Sequence, residues 1–120
     1  ESVMVRGNAM RLRKLVGTLL DNACKYADDG GSVNVSLRQS VRRIELAVHN
    51  TGFAIAPEDL PHVFDRFYRA DKARTRDESG YGLGLAIAHA IAEEHGGNLA
   101  AASDDERGTT FTLTLPTLPA

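Results

Sequence analysis

The sequence predicts an α/β protein of the α+β type, in which about three helices cover one face of a sheet. The sheet is expected to be mixed but mostly antiparallel, with about five strands, which makes a two-layer sandwich. Two long segments have apolar residues at helical spacing, and several short segments alternate apolar and polar residues. The 120 residues, 42% of them hydrophobic, fit a single domain spanning residues 1–120.

The first helix is predicted from Ala9 to Tyr26, with Asn8 as its N-cap. Its apolar positions recur every three or four residues: Leu12, Leu15, Val16, Leu19, Leu20 and Ala23. Residues 28–31 (Asp-Asp-Gly-Gly) should end it. Before the helix, Ser2 to Arg6 alternates weakly and is interpreted as a short edge strand.

Two alternating segments follow, around Val33–Leu37 and Ile44–Val48, and predict strands joined by a turn near Gln39 and Ser40. Residues 51–56 should form a loop. Pro57 suits the first turn of a short helix that continues to about Asp65. Residues 67–79 lack any hydrophobic period and predict a long loop.

The second long helix is predicted from Gly82 to His95, with Gly96 ending it. Residues 98–103 and 109–115 then predict a final pair of strands, separated by the polar turn at 104–108. Helices that interleave with hairpin-forming strands predict two layers, with the helices on one face of the sheet.

Composition excludes several function classes. The formal net charge of −2 provides no basic field for a nucleic acid. The longest apolar run, Leu83 to Ala92, is much shorter than the roughly 20 residues that span a bilayer, so no membrane contact is expected. The single cysteine, Cys24, allows no internal disulfide. With no signal-peptide pattern, we expect a cytoplasmic location, and the start at Glu1 suggests a piece of a longer protein.

One face of the first helix carries polar groups suited to a phosphate ligand. Thr18, Asn22 and Lys25 lie within about 60° of one another beside the apolar stripe, at 100° per residue. An amide oxygen is a reasonable Mg²⁺ ligand, and an ammonium group suits phosphate. Taken alone, the pattern fits a solvated helix face better than a ligand site.

A glycine-rich loop, Gly80-Tyr81-Gly82-Leu83-Gly84, opens directly into the second helix. Glycines allow backbone N–H groups to approach an anion, which a helix N-terminus also favours. The surroundings match neither a dinucleotide fold nor a Walker loop, so by itself it could be only a helix start. The basic residues that precede it could form a flap over a polyphosphate or an ordinary charged loop: Arg66, Arg69, Lys72, Arg74 and Arg76. The four histidines lack metal-ligand spacing, and His89 and His95 are interpreted as surface or capping residues.

The order of these features resembles the ATP-binding catalytic domain of bacterial sensor histidine kinases, in the group that includes gyrase, Hsp90 and MutL ATPases. Residues 19–26 (LLDNACKY) resemble the asparagine box, and residues 48–55 (VHNTGFAI) the first glycine box. Residues 63–69 (VFDRFYR) resemble the phenylalanine box, and residues 80–87 (GYGLGLAI) the second glycine box. His95-Gly96-Gly97 and Gly108-Thr109-Thr110-Phe111 complete the pattern, which covers nearly the whole chain.

The resemblance implies that the domain binds ATP and Mg²⁺. It implies that Asn22 holds Mg²⁺ and that Asn50 accepts a hydrogen bond from the adenine amino group. The phosphates would be contacted by Lys25, Tyr26, Tyr68, Arg69, Gly82, Leu83 and Gly84, with Tyr68 and Arg69 on a flap known in the family as the ATP lid. Ile55 and Leu85 would form the wall of the adenine pocket, and Gly52, Gly80 and Thr110 belong to the expected nucleotide-binding set. Asn22, Lys25 and Arg69 are the expected catalytic residues.

Three positions depart from the family pattern. Asn50 stands where aspartate is usual, Ala54 replaces the last glycine of the first glycine box, and Thr18 lies four residues before Asn22. ATPases of the wider group have a glutamate at that last position, so Thr18 disfavours hydrolysis and favours phosphoryl transfer to a protein.

None of the four histidines follows the phospho-acceptor pattern, which in these kinases lies on a preceding dimerisation helix. We therefore expect a fragment that binds ATP without phosphorylating itself. Its expected partners are the dimerisation domain of the same kinase and, indirectly, a response regulator, and the parent protein is expected to be a membrane-bound sensor. The alternatives are a nucleotide-binding sensor or scaffold module without catalysis and, less favoured, a hydrolytic ATPase.

Overall fold

The computed structural model describes residues 4–27, 30–52, 54–66, 84–104 and 106–117. These residues form two α-helices, four strands and one short 3-10 turn. In chain order the elements are α1 (Ala9–Tyr26), β1 (Val33–Ser40), β2 (Arg43–Asn50), the 3-10 turn (Leu60–His62), α2 (Gly84–Glu94), β3 (Asn98–Asp104) and β4 (Gly108–Pro116).

The four strands form one antiparallel sheet in the order β1-β2-β4-β3. The central pair joins distant parts of the chain, with Asn50 opposite Thr109 and Arg43 opposite Pro116. Both helices pack on one face of this sheet. The α+β two-layer fold is therefore confirmed, although the described residues contain four strands instead of about five, and two α-helices plus a 3-10 turn instead of about three helices.

The core lies between the helices and the sheet. Each α-helix contributes an apolar stripe, and β4 contributes every second residue, as expected for a strand with one covered face. The buried cluster consists of Leu15, Leu19, Ala23, Val48, Ala88, Ile91, Ala92, Leu99, Phe111, Leu113 and Leu115. None of the described helices is long and apolar enough to cross a membrane.

α1 has the predicted bounds because its local signals are strong. The Asn8 side chain accepts a hydrogen bond from the Arg11 amide at 3.0 Å, which satisfies one of the unpaired N–H groups of the first turn. The helix ends at Tyr26, and Ala27 is already extended. Gly96, at φ +76°, ends the second helix as predicted, and the Gly97 amide then bonds to the Ala92 carbonyl at 2.9 Å.

α1 and α2 run antiparallel, and contacts near both ends of α2 show it. At one end, the Arg11 guanidinium forms two hydrogen bonds with the Glu94 carboxylate, at 2.8 and 2.7 Å. At the other end, a Cβ placed on Gly84 would lie 3.6 Å from the Thr18 Cγ2. The C-terminal half of α1 therefore lies beside the first residue of α2.

Two predicted elements differ from the structure. Met4 to Arg6 are not in a strand, and residues 1–3 lie outside the described residues. The expected helix from Pro57 to about Asp65 is only a 3-10 turn at Leu60–His62. Pro61 explains the shortening, because it has no N–H to donate within a longer helix.

Two predicted boundaries also shift. The hairpin turn lies at Val41–Arg42, not near Gln39 and Ser40, because Ser40 still pairs with Arg43. Arg42 adopts φ 64°, and its carbonyl accepts a bond from the Thr117 amide at 3.0 Å, a distant contact that no local pattern reveals. The second long helix is described from Gly84, while Gly82 and Leu83 lie outside the described residues.

Candidate functional site

The polar face of α1 meets the start of α2. Thr18, Asn22 and Lys25 follow one another at helical spacing, and Thr18 is the residue that adjoins Gly84. Asn22 is one turn further along, about 6 Å by helical rise. Gly84 is the last residue of the predicted glycine loop, and α1 continues past it. Asn22 and Lys25 therefore lie on α1 beyond the point where this helix meets the end of the loop.

Thr18 itself is not a polar group directed at a ligand. Its hydroxyl donates to the Lys14 carbonyl one turn earlier, at 2.9 Å. The methyl group is the atom that faces Gly84. The structure therefore removes Thr18 from the polar trio that the helical spacing suggested and leaves Asn22 and Lys25.

Lys25 and Tyr26 form the C-terminal end of α1. The Lys25 Nζ lies 5.7 Å from the centre of the Tyr26 ring, within the range of a cation–π contact. Lys25 is exposed, whereas Tyr26 and Asn22 are partly buried. This places one cation at the rim of the candidate site, where it can meet a phosphate without being desolvated.

Asn50 is the most unusual polar group among the described residues. It ends β2, points to the helix-covered face two residues after buried Val48, and is only 1% exposed. Its Nδ2 donates to the Thr51 carbonyl at 2.9 Å, while no described residue donates to its Oδ1. A buried acceptor needs a hydrogen-bond donor, and since none of the described residues supplies one, a donor on a ligand fits this position.

The loop after Asn50 is held at both ends. Thr51 Oγ1 accepts a bond from the Ser32 amide at 2.9 Å, and the Ile55 amide donates to the Ser103 hydroxyl at 2.8 Å. Gly52 has φ +108°, a conformation that glycine adopts at little cost. Ile55 packs against the core cluster, as does Leu85 in the first turn of α2. The two predicted apolar wall residues thus have fixed positions.

Phe64 anchors the described part of the phenylalanine box. Its ring stacks on His89 of α2 with centroids 4.9 Å apart, and meets the Phe111 ring edge-on at 6.1 Å. His89, which the sequence indicates as a surface or capping residue, is partly exposed and also forms this aromatic contact. The stack ties residues 63–66 to the helix that begins at Gly84.

His95 confirms the capping interpretation. Its Nε2 accepts a bond from the Asn8 amide at 3.0 Å, and its Nδ1 donates to the Ile91 carbonyl at 2.8 Å. The ring therefore joins the start of α1 to the end of α2. A Cβ on Gly7 would lie 2.3 Å from the His95 Cδ2, so only glycine fits beside the ring.

The positions of five predicted site residues are not described. Tyr68, Arg69, Gly80, Gly82 and Leu83 lie outside the described residues.

Thr110 lies on the open face of the sheet, because it pairs with His49 while Asn50 pairs with its neighbour Thr109. Thr109, only 3% exposed, shares the covered face with Asn50. Alternation along β4 directs the Thr110 side chain away from the helices, and its contact with the nucleotide stays a prediction.

Gly108 and Thr109 belong to the closing motif of the resemblance but were not predicted as site residues, and Ser103 was predicted only as part of a strand. A Cβ on Gly108 would lie 2.1 Å from the Asn50 carbonyl oxygen, so this glycine lets β4 approach the end of β2. The sequence pattern could have indicated Thr109, since it lies two residues before Phe111 in a predicted strand and so shares its buried face. No such pattern indicated Ser103, because its partner Ile55 lies far away in the sequence.

The described residues offer no group of three or more His, Cys, Asp or Glu side chains that could hold a metal ion. A protein-only metal cage is therefore absent from this part of the chain. Asn22 supplies an amide oxygen, and a Mg²⁺ ion bound there would take its other ligands from water and phosphate, which is a common arrangement for this ion.

Comparison with known proteins identifies similar domains. Residues 7–119 match the family described as "Histidine kinase-, DNA gyrase B-, and HSP90-like ATPase". The chain is 43% identical over 117 residues to the sensor-like histidine kinase SenX3 of Mycobacterium tuberculosis, covering 98% of this chain and 28% of SenX3. It is 41% identical over 116 residues to the sensor histidine kinase CusS of Escherichia coli, covering 97% of this chain and 24% of CusS. The chain thus spans about a quarter of the length of these curated relatives.

Solved structures show the same fold. The mycobacterial sensor histidine kinase MprB superposes with a TM-score of 0.84 at 36% identity, covering 97% of this chain and 78% of that one. Full-length ShkA in complex with AMPPNP superposes with a TM-score of 0.78 at 27% identity, covering 92% of this chain and 22% of that one.

Proposed function

The chain belongs to the histidine kinase-, DNA gyrase B- and HSP90-like ATPase family, and from this premise we propose that it binds Mg-ATP and donates the γ-phosphoryl group to a histidine. That histidine would lie on a separate dimerisation domain of a sensor histidine kinase in a two-component system. The main supporting observation is the antiparallel pairing of α1 and α2, which sets the helix of Asn22 and Lys25 beside Gly84. The similarity to SenX3, CusS and MprB supports the same function.

The two ends of the nucleotide would meet different parts of the domain. The buried Asn50 Oδ1 suits the amino group of adenine, which is a donor, and Ile55 and Leu85 offer apolar surface beside it. Lys25 would balance the charge of the phosphates, with Tyr26 beside it. Contacts from Tyr68, Arg69 and the glycines at 80 and 82 stay predictions, because these residues lie outside the described part of the chain.

Mg²⁺ fits the donor set on α1. Asn22 is a neutral oxygen donor on a partly buried helix face, so it can hold one position of a hydrated ion without a carboxylate cage. When bound, the ion would neutralise negative charge on the β- and γ-phosphates.

The domain is proposed to act by positioning the phosphates of ATP and by balancing their negative charge. In the transfer, a nitrogen of the acceptor histidine would bond to the γ-phosphorus as the bond to the bridging oxygen breaks, and ADP would leave with that oxygen. Phosphoryl transfer requires little covalent help from a protein. Asn22 and Lys25 would therefore act by fixing the phosphates in line with the incoming nitrogen.

Thr18 supports transfer over hydrolysis. A hydrolytic enzyme needs a group that takes a proton from water, and carboxylates commonly serve. The Thr18 hydroxyl is already committed to the Lys14 carbonyl and has no basic oxygen to offer. Steady ATP turnover by the isolated domain would contradict this argument and favour a hydrolytic function.

The decisive experiment adds the histidine-bearing dimerisation domain of the same protein in trans and follows phosphate labelled at the γ position. We expect label on that domain, and none when its histidine is replaced by glutamine. Asn22→Ala should abolish Mg-dependent labelling. Asn34→Ala is the matched control, because Asn34 is an exposed asparagine on β1, and it should leave labelling unchanged.

A second candidate is a sensor or scaffold module that binds nucleotide without catalysis. The departures at Thr18, Asn50 and Ala54 favour it, since Asn50 and Ala54 lie in the first glycine box and Thr18 directly precedes the asparagine box. ATP binding measured by calorimetry together with no transfer to the acceptor domain would establish this second function. If the domain binds no adenine nucleotide at all, both candidates fail.

A further inference from the structure

Two hydroxyl groups meet across β3 and β4 near the end of the sheet. Ser103 and Thr109 are register partners, and their hydroxyl oxygens lie 2.7 Å apart. Both face the helix-covered side, where Thr109 is only 3% exposed. The backbone ladder already joins these strands, so the contact between the two hydroxyls adds to the strand pairing.

That group is the loop after β2. The Ser103 hydroxyl accepts a hydrogen bond from the Ile55 amide at 2.8 Å, across a separation of 48 residues. A serine hydroxyl has one proton and two lone pairs. The Ile55 amide takes one lone pair, and the contact with Thr109 takes the proton or the other lone pair. The orientation of Ser103 is therefore set by two partners.

The opposite end of the same loop is also fixed. The Thr51 amide donates to the Ser32 carbonyl at 3.1 Å, and the Ser32 amide donates to Thr51 Oγ1 at 2.9 Å. The loop from Thr51 to Ile55 is thus bonded at one end to Ser32, the residue before β1, and at the other end to Ser103 of β3. Asn50, whose buried side-chain Oδ1 accepts no bond from any described residue, directly precedes it.

We propose that Ser103 is a positioning residue for nucleotide binding, which acts through the Ile55 backbone. Its hydroxyl keeps Ile55 at a fixed spacing from the buried Asn50 acceptor before any ligand arrives. This inference rests on the proposed function, because it assigns the base end of the nucleotide to this loop. Without the hydroxyl, the loop must be ordered during binding, and the affinity falls accordingly.

The test is Ser103→Ala, with binding of ATP, ADP and adenosine measured by calorimetry. Loss of one net hydrogen bond corresponds to a Kd about 3- to 10-fold higher. The factor should be the same for all three ligands, since the change lies at the base end. Amide exchange of Ile55, followed by NMR, should become faster in the same variant.

Two variants serve as controls. Ser103→Thr keeps the hydroxyl and therefore the hydrogen bond to the Ile55 amide. Its affinity for the three ligands should stay within about twofold of the wild-type affinity. Thr112→Ala removes a hydroxyl from the open face of β4, where Thr112 pairs with Ala100, and should change neither binding nor Ile55 exchange.

Other outcomes would overturn the inference. Wild-type affinity in Ser103→Ala, with Ile55 exchange accelerated, would mean that the contact exists but does not position the ligand. Equal weakening in Ser103→Thr would mean that the hydroxyl is not the cause. If wild type binds none of the three ligands, the proposed function fails, and Ile55 exchange still shows separately whether Ser103 holds the loop.

Discussion

Gly108 allows the most direct test of how the sheet shapes the candidate site. It begins β4, and a Cβ added there would lie 2.1 Å from the Asn50 carbonyl oxygen. Its φ of +92° is also a conformation that other residues rarely adopt. Gly108→Ala should therefore strain the backbone and push β4 away from the end of β2, which carries the buried acceptor Asn50.

Two other glycines separate these effects. Gly30 has φ +76° with no atom within 4 Å of an added Cβ, so Gly30→Ala tests backbone strain alone, about 1 kcal/mol. Gly97 lacks a positive φ, but a Cβ would lie 2.1 Å from the Thr114 carbonyl oxygen. Gly97→Ala thus tests the clash alone, about 2 kcal/mol. Gly108→Ala combines both and should lower the free energy of unfolding by about 3 kcal/mol.

The assay is urea denaturation followed by circular dichroism. With a slope of about 1.5 kcal/mol per M, 3 kcal/mol moves the midpoint by about 2 M. Nucleotide affinity should also fall in Gly108→Ala, and stay unchanged in Gly30→Ala. A Gly108→Ala protein no less stable than Gly30→Ala would refute the close approach of β4 to Asn50.

Three further predictions concern other parts of the molecule. Phe111→Ala should lower the free energy of unfolding by about 3–5 kcal/mol in denaturation, because Phe111 is 1% exposed and supports Phe64. A double-mutant cycle on Arg11 and Glu94, which are 45% and 50% exposed, should give a coupling below about 1 kcal/mol that weakens at high salt. Lys25→Ala should weaken ATP more than adenosine in calorimetry while leaving thermal stability unchanged, and equal losses would show that the ammonium does not meet phosphate.

Local sequence signals predicted the elements that depend on local interactions. α1 has its expected bounds because Asn8 caps it and its apolar stripe has a helical period. The hairpin turn was misplaced by two residues, since Arg42 carries no turn signal and is held by the distant Thr117. The helix expected from Pro57 does not form because Pro61 cannot donate a backbone hydrogen bond within it. The sequence already contained this helix-breaking residue.

The sequence predicted those candidate site residues that belong to the ordered motifs of the resemblance. The resemblance selected Asn22, Lys25 and Asn50, and the structure buries Asn50 with no bond to its Oδ1 from the part of the chain that is described. It did not indicate which of Thr109 and Thr110 faces the helices, because only strand parity decides that. Ser103 required the tertiary structure itself, since its partner lies across the sheet.

The helix pair links the site to contacts at its opposite end. His95 bonds to the Asn8 amide, and Arg11 to Glu94, where α1 begins and α2 ends. Since a helix advances 1.5 Å per residue, a one-residue slip between the helices would carry Thr18 away from Gly84 by that distance. Packed apolar residues resist such slips, because each requires a new set of contacts. The spacing between the α1 polar face and the glycine loop's end is therefore set by the whole length of the helix pair, including residues that no ligand touches.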